Sequence, residues 1–296
     1  IRSNLKAKDL GLYIIDEEQR FGVKDKEVIK YNHFNIDTIY LSATPIPRTL
    51  EMSLSGLKSI SLITTPPKNR YPVQTYLLKK DYLIIKDIIQ KELARGGQVF
   101  YLVNEISEIT KVIDKIKNLI PNINIGYLYG SMQKIDIDNT LEQYITGEID
   151  LLVTTTIIEN GIDIPNVNTI IIDDATKLGL AQIYQIKGRV GRSSQIAYCY
   201  LMYSGVLSEI SKRRLDAIQS FNELGSGYRI AYEDLLLRGA GNFLGAEQSG
   251  FINNLGLEMY LELLNEVVSG QEIKKRAHNN LKIFNNQTIK KSYISK

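Results

Sequence analysis

Apolar residues along this chain follow two alternating spacings. Leu10 to Ile15, Thr38 to Leu41, Val73 to Leu78, Gln98 to Val103, Ile123 to Leu128, Leu151 to Thr155, Thr169 to Ile172 and Ala197 to Tyr203 are short, nearly continuous apolar runs, which read as buried strands. Between them lie stretches with helical spacing. Tyr82 to Ala94 is one, stopped by Gly96 and Gly97. Glu108 to Ile120 is another, with Ile109, Val112, Ile113, Ile116 and Ile120 along one face and Pro121 behind it. Such alternation implies an α/β fold, a mostly parallel sheet covered on both faces. The pattern changes near the end. Ser208 to Leu224 and Tyr232 to Leu237 keep helical spacing with no strand between them, and Gly225-Ser226-Gly227 joins them as the turn of an α-helical hairpin.

Composition narrows the reading. The 296 residues, 44% of them hydrophobic, leave room for about two domains with sizeable cores. The breaker-rich segment Thr64-Thr65-Pro66-Pro67-Lys68-Asn69-Arg70-Tyr71-Pro72 reads as the linker between them. A net charge of +3 is too balanced to argue for nucleic acid by itself, so any basic surface must be local. The one cysteine, Cys199, lies in the apolar run from Ile196 to Met202, which makes it a buried strand position and fits a reducing cytoplasm. No apolar run reaches the length of a membrane span and no signal peptide opens the chain, so the expectation is a cytoplasmic protein with no membrane partner. His33 and His278 stand alone, without metal-ligand spacing. Leu257 to Val268 reads as an amphipathic helix, and Lys274 to Lys296 as a Lys- and Asn-rich, loosely ordered tail.

Chemistry-bearing residues gather at strand ends. The first strand runs into Asp16-Glu17-Glu18-Gln19, and carboxylates at the end of a buried strand fall where open α/β sheets place ligands and suit Mg²⁺. Taken alone, Asp16-Glu17 is explained better by an exposed acidic turn before a helix. The second strand runs into Ser42-Ala43-Thr44-Pro45-Ile46-Pro47-Arg48-Thr49, small hydroxyls followed by prolines that fix a loop. Thr154-Thr155-Thr156 begins a segment ending in Asn160-Gly161-Ile162-Asp163-Ile164-Pro165, where hydroxyls and backbone N–H groups suit phosphates and Asp163 suits a ribose or an arginine. Finally Gln185, Gly188, Arg189, Gly191 and Arg192 spell Q-x-x-G-R-x-G-R, two guanidinium groups that suit a polyphosphate, with glycines that let backbone approach a ligand.

In this order the four segments resemble motifs II, III, V and VI of the superfamily 2 helicases. The fuller wording, Phe21-Gly22-Val23 after motif II and Thr44-Pro45-Ile46-Pro47-Arg48-Thr49 in motif III, is shared by two branches, the bacterial transcription-repair coupling factors and the fork-reversing RecG helicases. The coupling factors match more of it, through Asp16 to Val23, Asn160 to Asn166 and Gly239 to Gly250. The resemblance implies RecA-like parallel sheets, the end of lobe one in residues 1–67 and a complete lobe two in 68–205. A translocation hairpin and loop would follow in 206–256, and the start of a further domain in 257–296. It implies ATP and Mg²⁺ as cofactors, with Asp16 holding the metal, Glu17 polarising water, and Arg189 and Arg192 acting as arginine fingers. Gln19, Gly161, Asp163, Gln185 and Gly188 would line the nucleotide. Ser42, Thr44, Thr154, Thr155, Arg238 and Gln248 would couple to double-stranded DNA, contacted on its backbone and therefore salt-sensitively. RNA polymerase and excision-repair proteins would be partners of the whole protein.

One departure is large. No G-x-x-x-x-G-K-[ST] loop occurs in the sequence, so the group that cradles the β- and γ-phosphates is missing. With Ile1 in place of an initiating Met, the expectation is a piece of a longer motor, inactive by itself. A RecG-like fork-reversing helicase and a DNA-binding remnant without hydrolysis are the alternative readings.

Overall fold

The computed structural model describes residues 10–17, 36–43, 59–63, 65, 71–156, 167–191, 195–221 and 226–238. Two parallel sheets emerge. In the first, β1 (Leu12–Asp16) pairs with β2 (Asp37–Leu41), from Leu12 opposite Asp37 to Asp16 opposite Leu41. The second has six strands, β3 (Gln74–Lys79), β4 (Gln98–Leu102), β5 (Ile125–Leu128), β6 (Leu151–Thr154), β7 (Val167–Ile172) and β8 (Tyr198–Tyr203). Their spatial order is β3-β8-β7-β4-β6-β5, every pair parallel.

Connections that move outward along this sheet carry α1 (Tyr82–Ala94) and α2 (Ile106–Leu119). Those that return carry α3 (Lys134–Ile145) and α4 (Leu180–Lys187), after which α5 (Glu209–Ser220) and α6 (Gly227–Arg238) follow. Right-handed crossovers send outward and return helices to opposite faces. The core divides accordingly. Val99, Tyr101 and Val103 pack with Ile85 and Ile89 of α1 and Val112 and Ile116 of α2. Phe100 and Leu102, pointing the other way, pack with Tyr144 of α3, Ile183 and Ile186 of α4, Leu215 and Ile218 of α5 and Ile230 of α6. A period of two within β4 thus feeds both cores, and all five of its residues are buried.

Local chemistry sets the helix ends. Asp81 caps α1 by accepting from the Leu83 N–H at 2.8 Å. Gly96, at φ 77°, closes it, with the Gly97 N–H reaching back to the Glu92 carbonyl at 3.1 Å. A capping box at Glu105 and Glu108 opens α2 two residues before the start that periodicity predicts.

The hairpin helices differ more from expectation. α5 stops at Ser220 rather than Leu224, and α6 begins at Gly227 rather than Tyr232. Glycine opens a helix because tertiary packing outweighs propensity, with Ile230, Ala231 and Leu235 buried along α6.

Candidate nucleotide site and hairpin junction

The acidic pair stands at the C-terminal end of β1. Asp16 is exposed, and Glu17 turns into the left-handed region at φ 52°. Its N–H donates to the Leu41 carbonyl at 2.9 Å, extending the β1–β2 ladder one step beyond Asp16. The structure therefore brings Asp16 and Glu17 together with Ser42, the next residue of β2's exit. Gln19 and Thr44 lie outside the described residues. Among the described residues no cluster of three or more metal-ligating side chains occurs. Mg²⁺ in nucleotide sites takes one or two carboxylates and fills its remaining positions with phosphates and water, so an exposed Asp16 beside Glu17 fits that donor set.

Gln185 lies in α4 and Arg189 just past its end, held by the Arg189 N–H donating to the Ile186 carbonyl at 3.0 Å. Four residues apart in near-helical backbone, they share a face. Leu180, Ile183 and Ile186 bury the opposite face. Gly188 caps the helix in ordinary right-handed geometry. Gly191 sits at φ 74°, and a Cβ there would stand 2.9 Å from Ala197 Cβ and 3.3 Å from Val73 Cγ2. The motif's second glycine thus answers to its own sheet, a demand the spacing alone does not reveal. Arg192 lies outside the described residues, as do Gly161, Asp163 and Gln248. Arg238 closes α6, its side chain outside what is described.

At the end of β6, Thr154 is fully buried and its hydroxyl donates to the Thr155 carbonyl at 2.9 Å. Thr155 is half-buried, and its N–H donates to the Leu128 carbonyl at 3.3 Å. Along the same sheet edge, Asp173 accepts from the Tyr101 hydroxyl and from Lys80 Nζ, the latter at 2.6 Å. Burial disfavours the Lys80 ammonium, yet the bond and charge of Asp173 outweigh it and hold the pKa above its usual 10.5. Burial, reinforced by Asp173, pushes Tyr101 well above its ordinary range. Three strands are clamped at their C-terminal ends by groups that no motif signalled.

The two sheets meet at α6. A Cβ on Gly227 would lie 1.9 Å from the Ala43 carbonyl oxygen and 3.3 Å from Tyr184 Cε1. Ala43 follows Ser42, and Tyr184 precedes Gln185. Beneath this point Lys187, buried in α4, donates to the Phe221 carbonyl at 3.5 Å, and the Ser226 hydroxyl donates to the same oxygen at 3.2 Å. A lysine inside an apolar helix face was the available signal for Lys187, whereas nothing in the local sequence marked Gly227 as a helix start.

Residues 81–194 match the helicase conserved C-terminal domain. This stretch is similar to helicase C-terminal domains. The chain is a relative of the transcription-repair-coupling factors. It is 51% identical over 263 residues to that of Bacillus subtilis (strain 168), covering 88% of this chain and 22% of the relative. To that of Staphylococcus haemolyticus (strain JCSC1435) it is 52% identical over 268 residues, covering 90% and 23%. The chain therefore spans less than a quarter of the length of these relatives. Among solved structures, RecG bound to a three-way DNA junction superposes with a TM-score of 0.63 at 31% identity, over 88% of this chain and 34% of that one. A point variant of S. cerevisiae Dbp5 bound to RNA and ADP BeF3 shares the fold, with a TM-score of 0.53 at 17% identity over 79% of this chain and 64% of that one. The architecture is that of a RecA-like helicase lobe. No helix among the described residues is long and apolar enough to cross a membrane.

Proposed function

We propose that this chain is the later motor portion of an ATP-driven double-stranded DNA translocase of transcription-coupled repair. In this reading residues 1–67 end lobe one, 68–205 form lobe two, 206–256 the translocation hairpin and loop, and 257–296 begin a further domain. The observation that carries it is the Glu17 to Leu41 bond, which holds the acidic pair beside Ser42 at the end of parallel strands, where nucleotide sites form.

Asp16 would hold Mg²⁺, and Glu17 would orient the attacking water and take its proton. Arg189 and Arg192 would stabilise charge developing on the transferred phosphoryl group, with Gln19, Gly161, Asp163, Gln185 and Gly188 around the nucleotide. ATP with its metal supplies the transferred group. Ser42, Thr44, Thr155, Arg238 and Gln248 would meet or couple to the DNA backbone. Thr154, buried with its hydroxyl committed, would shape the turn rather than touch DNA. In the cytoplasm the whole protein would displace stalled RNA polymerase and recruit excision repair. The superposition on RecG supports a second reading, fork reversal by the same motor.

The test is a completed motor, in which the phosphate-loop part of a relative's first lobe is fused ahead of this chain. DNA-stimulated ATP hydrolysis and displacement of a triplex-forming strand are expected of it, and neither of the 296-residue chain alone. A completed motor without DNA-stimulated turnover would overturn the proposal. Preferential action on branched forks over linear duplex would select the second reading.

A further inference from the structure

Glycine at the start of α6 needs a reason. Its backbone is not left-handed, since Gly227 is absent from the described glycines with positive φ. Alanine would serve the helix better. What excludes alanine is space. The first atom of any side chain would fall 1.9 Å from the Ala43 carbonyl oxygen, and that oxygen belongs to backbone, which cannot swing aside as a side chain can.

The surroundings of Gly227 are stiff on one side only. The Phe221 carbonyl collects donors from Lys187 of α4 and from Ser226, so α4, the end of α5 and the start of α6 are tied at one oxygen. α6 packs on both α4 and α5, and Ile230 belongs to the same core as Ile183, Ile186 and Leu215. On the other side, β1 and β2 form a two-stranded sheet that leaves Leu12, Ile14, Ile39 and Leu41 about half exposed. Such a sheet has little stability of its own, so contacts beyond its own ladder determine where it sits. The Ala43 carbonyl meets α6 at its N-terminus, where the helix dipole favours a negative partner.

We propose that Gly227 is a positioning residue. Its missing side chain lets the strand exit Ser42–Ala43 seat on the α4–α6 unit, and this seat sets the two-stranded sheet against the helix that carries Gln185 and leads to Arg189. Any Cβ there props the seat open without touching the nucleotide groups. The consequence for turnover rests on the function proposed above; the seat itself does not.

Hydrogen–deuterium exchange on the 296-residue chain tests the seat without any activity. In Gly227→Ala, peptides covering 12–16 and 37–41 should exchange at least about tenfold faster, while those covering 98–102 and 167–172 keep their wild-type rates. Spin labels at Asp37→Cys and Lys212→Cys, in a Cys199→Ala background, should report a longer and broader distance distribution in the same variant. Unchanged exchange in β1 and β2 overturns the proposal. So does an equal loss of protection in both sheets, which would make Gly227 a general packing residue, and so does a wild-type chain whose β1 and β2 show no protection. In the completed motor, Gly227→Ala should lower kcat about tenfold or more and leave the KM for ATP within about twofold. A motor inactive even as wild type would sink the functional reading and leave the exchange result standing.

Discussion

The Glu17 N–H and the Leu41 carbonyl meet at 2.9 Å, one step past the last paired residues of the two-stranded sheet. The bond is made with Glu17 at φ 52°, in a region that costs a non-glycine residue about 1–2 kcal/mol. This backbone bond places the residue against the exit of β2.

Glu17→Gln keeps that backbone and removes only the base. In the completed motor it should lower kcat by roughly 10²–10⁴, the range for losing a positioned general base, while ATP still binds. Steady-state turnover together with fluorescent-nucleotide titration checks both halves. Unchanged kcat would assign Glu17 to the turn alone.

Arg189 and Gly191, two residues apart in one motif, should fail in different assays. Arg189→Ala in the completed motor should cost about 10³ in kcat, the scale of an arginine finger, with a melting temperature close to wild type. Gly191→Ala should instead destabilise the 296-residue chain by about 1–3 kcal/mol, because the new methyl presses on Ala197 and Val73 at a positive φ. Thermal melts of the two variants side by side separate the roles.

The strands and the covering of both sheet faces were legible because short apolar runs and helical spacing report which segments are buried, and β4, with every residue buried, is bounded correctly to within one residue. The hairpin was legible only in outline. Nothing local says that Gly227 opens a helix, since its reason is the carbonyl of Ala43, far away in the sequence. The candidate site divides the same way. Asp16, Glu17, Gln185 and Arg189 stand out by residue type, whereas Lys187 and Phe221 act through a side chain and a carbonyl that meet only in three dimensions. Thr154 illustrates the converse: its sequence context suggests a phosphate contact, and folding spends the hydroxyl on the next carbonyl.

Gly97 stands where another glycine answers to space. Glu92, 2% exposed, accepts from Arg95 Nε at 2.9 Å and from the Thr169 hydroxyl, and its other oxygen fills the place of a Gly97 Cβ at 1.7 Å. Gly97→Ala should push the carboxylate off these partners and cost about 1–3 kcal/mol. Urea denaturation checks it, and Glu92→Gln combined with Gly97→Ala should cost less than the two changes added, because they act on one network.

The last prediction concerns alkaline pH and a buried pair, Cys199 and Lys187. Burial pushes the Cys199 thiol from its ordinary 9.0 up to about 12, with the nearby lysine only partly opposing. Burial also lowers Lys187, with Cys199 opposing. The two have opposite linkage. Between pH 9 and 12 the folded chain holds a thiol proton that the unfolded chain has lost, so the cysteine's contribution to stability falls by about 1.4 kcal/mol per pH unit. For Lys187 the unfolded chain is the one that keeps its proton longer, so its contribution rises with pH until the ordinary 10.5 is passed. Wild-type stability alone blends these slopes. Cys199→Ala removes one of them and leaves the lysine in place. The stability of wild type relative to this variant should therefore stay nearly constant from pH 7 to 8.5 and then decline, by about 1 kcal/mol from pH 9, where the unfolded thiol is half ionised, to pH 10, in urea unfolding followed by circular dichroism. A relative stability that stays flat to pH 10.5 would show that Cys199 titrates in the folded chain as it does in the unfolded one.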